Sequence, residues 1–174
     1  MAHHPLGPSG RSRWSRCPGA PAAEAAYPDE DSPASLEGTH AHEVAEALLK
    51  GVTPVDCTDE MSEYVESYVE YVRSLVGPAD TLLVEVKVDL GEWVPGCFGT
   101  ADAVVLAGEN IHVVDLKYGK GVAVDVTENE QLEAYALGVA HEYSWMDPQI
   151  IVCHVVQPRL GVYDSWSFHA RTFA

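Results

Sequence analysis

The stretch at residues 99–121, GTADAVVLAGENIHVVDLKYGKG, decides how this chain is read. Its two apolar runs, "TADAVVLAG" and "IHVVDLKYG", have strand length and meet at the short turn "GEN", so they predict a β-hairpin. Each run carries an aspartate, Asp102 and Asp115, and the second adds Lys117 two residues further on. Side chains two apart on a strand share a face, which sets Asp115 and Lys117 beside Ile111 and Val113, with Asp102 on the neighbouring strand. Two carboxylates on a half-buried sheet oppose each other's ionisation. A divalent cation removes that penalty. Mg2+ or Mn2+ takes hard oxygen ligands, so Asp102, Asp115 and the backbone carbonyl of Leu116 form a candidate metal site.

Such an ion polarises a phosphoryl oxygen and acidifies a bound water. Lys117 is the candidate to hold that water or to offset charge developing on the phosphate, and Glu85 is a candidate ligand on the preceding strand. The competing reading of the same spacing is a surface ion pair between Asp115 and Lys117, with Asp102 as a strand-end turn residue.

Working outward, the period-two run "TLLVEVKVDL" predicts a strand with Leu82, Val84, Val86 and Val88 on one face and Leu83, Glu85, Lys87 and Asp89 on the other. With the hairpin it makes an antiparallel three-strand meander. Upstream, "EGTHAHEVAEALLKG" predicts a helix capped by Thr39 and stopped by Gly51, with His42, Ala45 and Leu49 along one face. "TDEMSEYVESYVEYVRSLVGP" predicts a second helix, capped by Thr58, whose stripe of Met61, Val65, Tyr68, Val72 and Leu75 packs into the core. Downstream, "TENEQLEAYALGVAHEY" begins with a capping-box spacing, Thr127 to Glu130, and continues as a helix. "QIIVCHVVQP" and "VYDSWSF" supply two more strands. The order is that of an α/β fold, a mixed central sheet flanked by helices. Residues 1–36, rich in Pro, Gly, Ala and Ser, read as a loop-rich arm with a short helix near "PAAEAA", and residues 37–174 as a single globular domain.

Composition limits the function. The 174 residues are 47% hydrophobic, enough for one self-sufficient core. No apolar run approaches the ~20 residues that span a bilayer, and "MAHHPLGPSG" lacks a signal-peptide core, so the expectation is a cytoplasmic protein with no membrane partner. The four cysteines form no C-x-x-C pair and read mostly as buried small hydrophobes. A net charge of -17 excludes tight binding to nucleic acid through a broad basic face. Any nucleic-acid chemistry therefore needs cations or a small basic cluster. Arg11, Arg13 and Arg16 around Trp14 form the main one, read either as a poorly ordered arm or as a phosphate contact.

"GTAD" followed by "VVDLKYGKG" resembles the PD-(D/E)XK nuclease superfamily, in which an Asp precedes a (D/E)-x-Lys triplet on the next strand. "EGTHAHE" is similar to the G-T-x-x-H helix of the RecB-like exonuclease branch, found in phage and prophage proteins. "QLEAY" is similar to the Q-x-x-x-Y motif of that branch, and "RWSRCPG" to its N-terminal segment. Ala101 stands where the superfamily has its proline.

The resemblance implies a restriction-endonuclease-like αβββαβ core and a metal-dependent DNA nuclease, an exonuclease in phage recombination or DNA processing within a bacterial host cell. It implies metal contact by His42 with Asp102 and Asp115, and has Gln131 and Tyr135 touch the nucleic-acid backbone or orient Lys117. Lys120, in the loop "YGKG" just past the triplet, is a further candidate phosphate contact on its position alone. The resemblance further implies DNA, a single-strand annealing or binding protein, and further copies in a homo-oligomer as partners. Relatives hold an iron-sulfur cluster through one early and three late cysteines. Cys17 resembles the early one, but no cysteine follows Cys153, so no cluster is expected and the chain reads as a natural short form or one truncated at its C-terminus. The alternative is a catalytically silent module of the same fold that binds nucleic acid or protein.

Overall fold

A computed structural model describes residues 4–27 and 32–173. After a 3-10 turn at Pro8–Gly10 come the short helices α1 (Arg11–Trp14) and α2 (Ala20–Glu24), then α3 (Pro33–Leu49) and α4 (Asp59–Ser74). The strands β1 (Thr81–Asp89), β2 (Phe98–Ala107) and β3 (Asn110–Leu116) follow, then α5 (Glu130–Glu142), β4 (Ile150–Gln157) and β5 (Val162–His169). The five strands lie in sequence order in one sheet. β3 and β4 are parallel and every other neighbouring pair is antiparallel, because only the β3–β4 connection is long enough to carry a helix across. The fold is the mixed α/β arrangement expected from the pattern. No helix among the described residues is long and apolar enough to cross a membrane.

Two apolar layers hold the sheet. Alternation along β3 and β4 sends Ile111, Val113, Ile151 and Val155 to a cluster with Leu132, Ala136 and Val139 of α5. It sends Val114, Leu116 and Val156 to a second cluster with Val44 of α3 and Val65, Tyr68 and Val72 of α4. Each such fully buried Val, Ile or Leu contributes about 2 kcal/mol of hydrophobic stabilisation. The stripe expected on α4 is that core face, and Thr58 caps the helix by accepting from the Met61 amide.

Several boundaries differ from expectation. α3 starts a full two turns earlier than Thr39: Ser32 caps it by accepting from the Ser35 amide, and Pro33 occupies the first turn, where its missing N–H costs nothing. The helix thus runs through residue 36, the edge of the compositional arm. Its stop is as expected, with Gly51 at φ +73°. α5 is capped by Asn129, which accepts from the amides of Gln131 and Leu132, whereas the Thr127 amide donates to Asp125 in a local turn. Cys97 and Cys153 are buried, but Cys17 is exposed and Cys57 is partly so, which corrects the expectation for half of the cysteines.

The largest departure is in β1. Glu85 has φ +54°, a left-handed conformation that β-carbon-bearing residues avoid. The alternation inverts there. Leu82 packs on the α3–α4 side while Val86 and Val88 pack on the α5 side, so the four apolar residues do not share a face. β2 inverts at the same level, with Ala103 on the α3–α4 side and Ala101 on the α5 side.

The arm, so far as residues 4–27 and 32–36 describe it, lies against the domain. α2 falls on the "PAAEAA" segment. Trp14 Nε1 donates to the Gly7 carbonyl, and Arg11 donates to the Glu130 carbonyl at 3.0 Å. Arg16 pairs with Glu130 and Arg13 with Glu24, so the basic cluster is spent on neighbouring acids. Residues 1–3 and 28–31 of the proposed arm lie outside the described residues.

Candidate metal centre and its cleft

The pairing of β2 with β3 runs from Ala107↔Asn110 to Ala103↔Val114 and stops. One residue beyond, where the strands part, stand Asp102 and Asp115. Asp102 takes the place of the missing ladder partner: its Oδ2 accepts from the Leu116 amide at 2.7 Å. Its Oδ1 lies 3.2 Å from His42 Nδ1, which α3 brings down over the gap. Across the other edge of β2, the flanking pairs Val84↔Ala103 and Val86↔Ala101 put Glu85 opposite Asp102. His42, Glu85 and Asp102 offer ligand atoms that all lie within 4.8 Å of one another. Leu116 is buried between the charged pair, and the contact it makes with the acids is through its amide, not the carbonyl expected from the sequence.

Asp115 is 4% exposed, which overturns the surface ion-pair reading. Lys117 Nζ stands 2.9 Å from Asp115 Oδ2 and donates to Gln131 Oε1 at 3.0 Å. Gln131 Nε2 donates onward to Asp115 Oδ1 at 3.3 Å and to the Tyr135 hydroxyl at 3.4 Å. The i,i+4 spacing of Gln131 and Tyr135 puts both on the face of α5 turned to the site. Lys117 is the ion-pair partner of Asp115 Oδ2. The Tyr68 hydroxyl is buried without a hydrogen-bond partner among the described residues, and it feels the charges of Asp102, Asp115 and Glu85.

The electrostatics follow from burial and crowding. Burial raises the Glu85 carboxyl to about 7, and the charge of Asp102 adds to that. Burial also raises Asp115, against the opposing pull of Lys117 and with the help of Asp102. Burial alone would lower His42 and Lys117. The carboxylates outweigh it and raise both, Asp102 acting on His42 and Asp115 on Lys117. The cluster thus holds protons that isolated groups would not. This donor set, two or three carboxylates and one imidazole, fits a divalent cation that favours oxygen with some nitrogen, such as Mg2+ or Mn2+.

The site opens into a cleft of about 550 Å³. Gln131, Tyr135, His42 and the three acids line it as expected, joined by Glu43 and Glu46 of α3. Lys120 is exposed on the loop after β3 and does not line the cleft. The arm residues His4 and Pro8 and the β2 residue Phe98 were not foreseen. One signal pointed to them. Gly99 sits inside a strand, where glycine marks a close approach. A β-carbon there would lie 2.6 Å from Tyr135 Cε1 and 2.8 Å from Pro8 Cγ, so Gly99 lets helix and arm close on the sheet.

Fold and site together define a mixed α/β protein with an acidic, lysine-bearing cleft at a split between strands. The chain belongs to the family described as "Protein of unknown function (DUF2800)", whose profile matches residues 3–173.

Proposed function

We propose that this protein is a divalent-metal-dependent DNA nuclease of the PD-(D/E)XK superfamily, in its RecB-like exonuclease branch. The observation that carries the reading is the convergence of His42, Glu85 and Asp102 within 4.8 Å, beside a buried Asp115 paired with Lys117. The order of motifs, from G-T-x-x-H through Asp and Asp-x-Lys to Q-x-x-x-Y, supports it, since the residues of each motif meet in one cleft.

His42, Glu85, Asp102 and Asp115 would hold Mg2+ or Mn2+, which when bound polarises a phosphoryl oxygen and lowers the pKa of water. His42 fixes the rotation of the Asp102 carboxylate, and the Leu116 amide holds its other oxygen. Lys117, kept protonated by Asp115, directs its ammonium to the phosphate and offsets the negative charge that builds on it during in-line attack. Gln131 holds Lys117 Nζ and Asp115 Oδ1 at once, which sets their separation, and the Tyr135 hydroxyl accepts from Gln131. Without a cation the Glu85 carboxyl stands near 7, so at neutral pH it meets the metal partly protonated and would give that proton up on binding.

The test is degradation of end-labelled linear and closed circular DNA in Mg2+, Mn2+ or chelator, with the natural chain and Lys117→Ala. The reading expects metal-dependent loss of the linear DNA that the variant lacks. Intact DNA under all metal conditions would contradict it.

A further inference from the structure

We infer that the cleft takes an unpaired DNA strand, with one base laid against an aromatic wall formed by Phe98 and His4. This rests on the nuclease reading above and names the form of its substrate. Three observations carry it. The cleft beside the acids, about 550 Å³, has the size of a site for one small-molecule-sized group. The charge agrees. A duplex carries a phosphate charge every ~1.7 Å of its axis and is held by many basic side chains. Among the described residues lining this cleft, Lys117 is the one Lys or Arg, and Glu43 and Glu46 on the α3 wall repel a second backbone.

The third observation is the wall itself. Phe98, at the start of β2, and His4, in the arm, place their rings 6.4 Å apart at 60°. Both line the cleft that holds Lys117 and the acids, as does the ring of Tyr135. The arm is secured there by Pro8 against Gly99 and by Cys97 Sγ donating to the Leu6 carbonyl at 3.2 Å. Lys87 Nζ lies 4.7 Å from the Phe98 centroid, a cation at the wall on an otherwise acidic protein. Aromatic rings beside a few cations bind single strands irrespective of sequence, because every base presents a π-face. In a duplex only the terminal pair has an uncovered face, and its partner base and second backbone would have to enter beside Glu43 and Glu46. Every base of a single strand can meet such a wall.

The experiment compares cleavage, in Mn2+, of a 5′-fluorescein single strand, the same strand in a blunt duplex, and the single strand with abasic nucleotides at its ends. The single strand is cut about tenfold or more faster than the duplex, and the abasic ends slow cleavage about tenfold. Phe98→Leu cuts intact and abasic strands at equal rates, with circular dichroism unchanged. Equal rates on single strand and duplex, or no abasic effect in the natural chain, overturn the inference. If no DNA is cut, the nuclease reading fails by itself. Fluorescence anisotropy of the same three DNAs in Ca2+ then decides this inference: preference for the intact single strand supports it, and equal binding of all three overturns it.

Discussion

Glu85 stands opposite Asp102 across β1 and β2, and it does so in a left-handed conformation, φ +54°, that inverts the facing of both strands at that level. A glutamate in that conformation costs about 1 kcal/mol. It is held next to a second acid, with its carboxyl raised to about 7. The strain and the like-charge crowding at this position both lower the stability of the protein, and a bound cation would relieve the second.

The first prediction follows from that cost. Folding raises the Glu85 carboxyl from 4.5 to about 7, so its contribution is fully present below pH 4.5 and is lost as pH rises through 7. Glu85→Gln removes the loss. In chelator, urea unfolding of the variant shows about 1 kcal/mol more stability at pH 8 and no gain at pH 4, the size being discounted because Glu85 is only half-buried. The same variant binds Mn2+ more weakly. A variant less stable than the natural chain at pH 8 would count against the crowded-acid account.

A second buried network titrates in the opposite sense. The Tyr71 hydroxyl is 2.8 Å from His154 Nδ1, and His154 Nε2 is 3.0 Å from His112 Nδ1, joining α4 to β4 and β3. Burial, with the neighbouring His112, lowers His154 from 6.5 to about 4. The unfolded chain therefore takes up a proton below pH 6.5 that the folded chain refuses, and stability falls as pH drops from 6.5 toward 4. The contribution lost at His154 between pH 7 and pH 5 is about 2 kcal/mol. Because Glu85 shifts stability the other way over the same range, the check is the difference between the natural chain and His154→Gln: the urea midpoint of the natural chain falls relative to that of the variant as pH drops from 7 to 5.

Lys117 is the partner that makes a buried Asp115 tolerable. Lys117→Met leaves that carboxylate without a counter-charge and destabilises the metal-free protein by about 2 kcal/mol, below the usual range for a broken buried pair because Lys117 is partly exposed. On the nuclease reading proposed above, DNA cleavage falls about a hundredfold or more. Thermal melts with and without Mn2+ check the first part: saturating metal should restore stability, since it supplies the missing positive charge.

Packing gives a prediction remote from the acids. Gly138, in the middle of α5, lies so near β1 that a β-carbon would sit 2.2 Å from Val88 Cγ1 and 3.0 Å from the Asp89 carbonyl oxygen. Helix propensity alone favours alanine there. The backbone oxygen cannot move away, so Gly138→Ala destabilises by about 2 kcal/mol by denaturant titration. An increase in stability would show that α5 does not seat on β1 as described.

What could be read from the sequence was local. The β2–β3 hairpin, the Thr58 cap and the stripe of α4 each depend on neighbours a few residues away, and each stands as expected. The Q-x-x-x-Y spacing set Gln131 and Tyr135 on one helix face for the same reason. The errors arose where two local signals competed. Thr39 and Thr127 both resemble caps, but Ser32 before Pro33 and Asn129 before Glu130 make the hydrogen bonds. What could not be read was tertiary. Nothing in "TLLVEVKVDL" announces the inversion at Glu85, which only its neighbours across the sheet and in α3 impose. The seating of His4 and Pro8 over Gly99 likewise depends on contacts about ninety residues apart in the chain, for which a glycine in a strand was the only trace.

The central claim is that the split between β2 and β3 holds a divalent cation, and diffraction at the manganese edge from crystals soaked in Mn2+ tests it most directly. The account predicts an anomalous peak bonded to Asp102, with Asp115 Oδ2 or Glu85 and His42 in its coordination shell, and no peak there in Asp102→Asn. Manganese absent from that split, with Asp102 still joined only to His42 and the Leu116 amide, would contradict it.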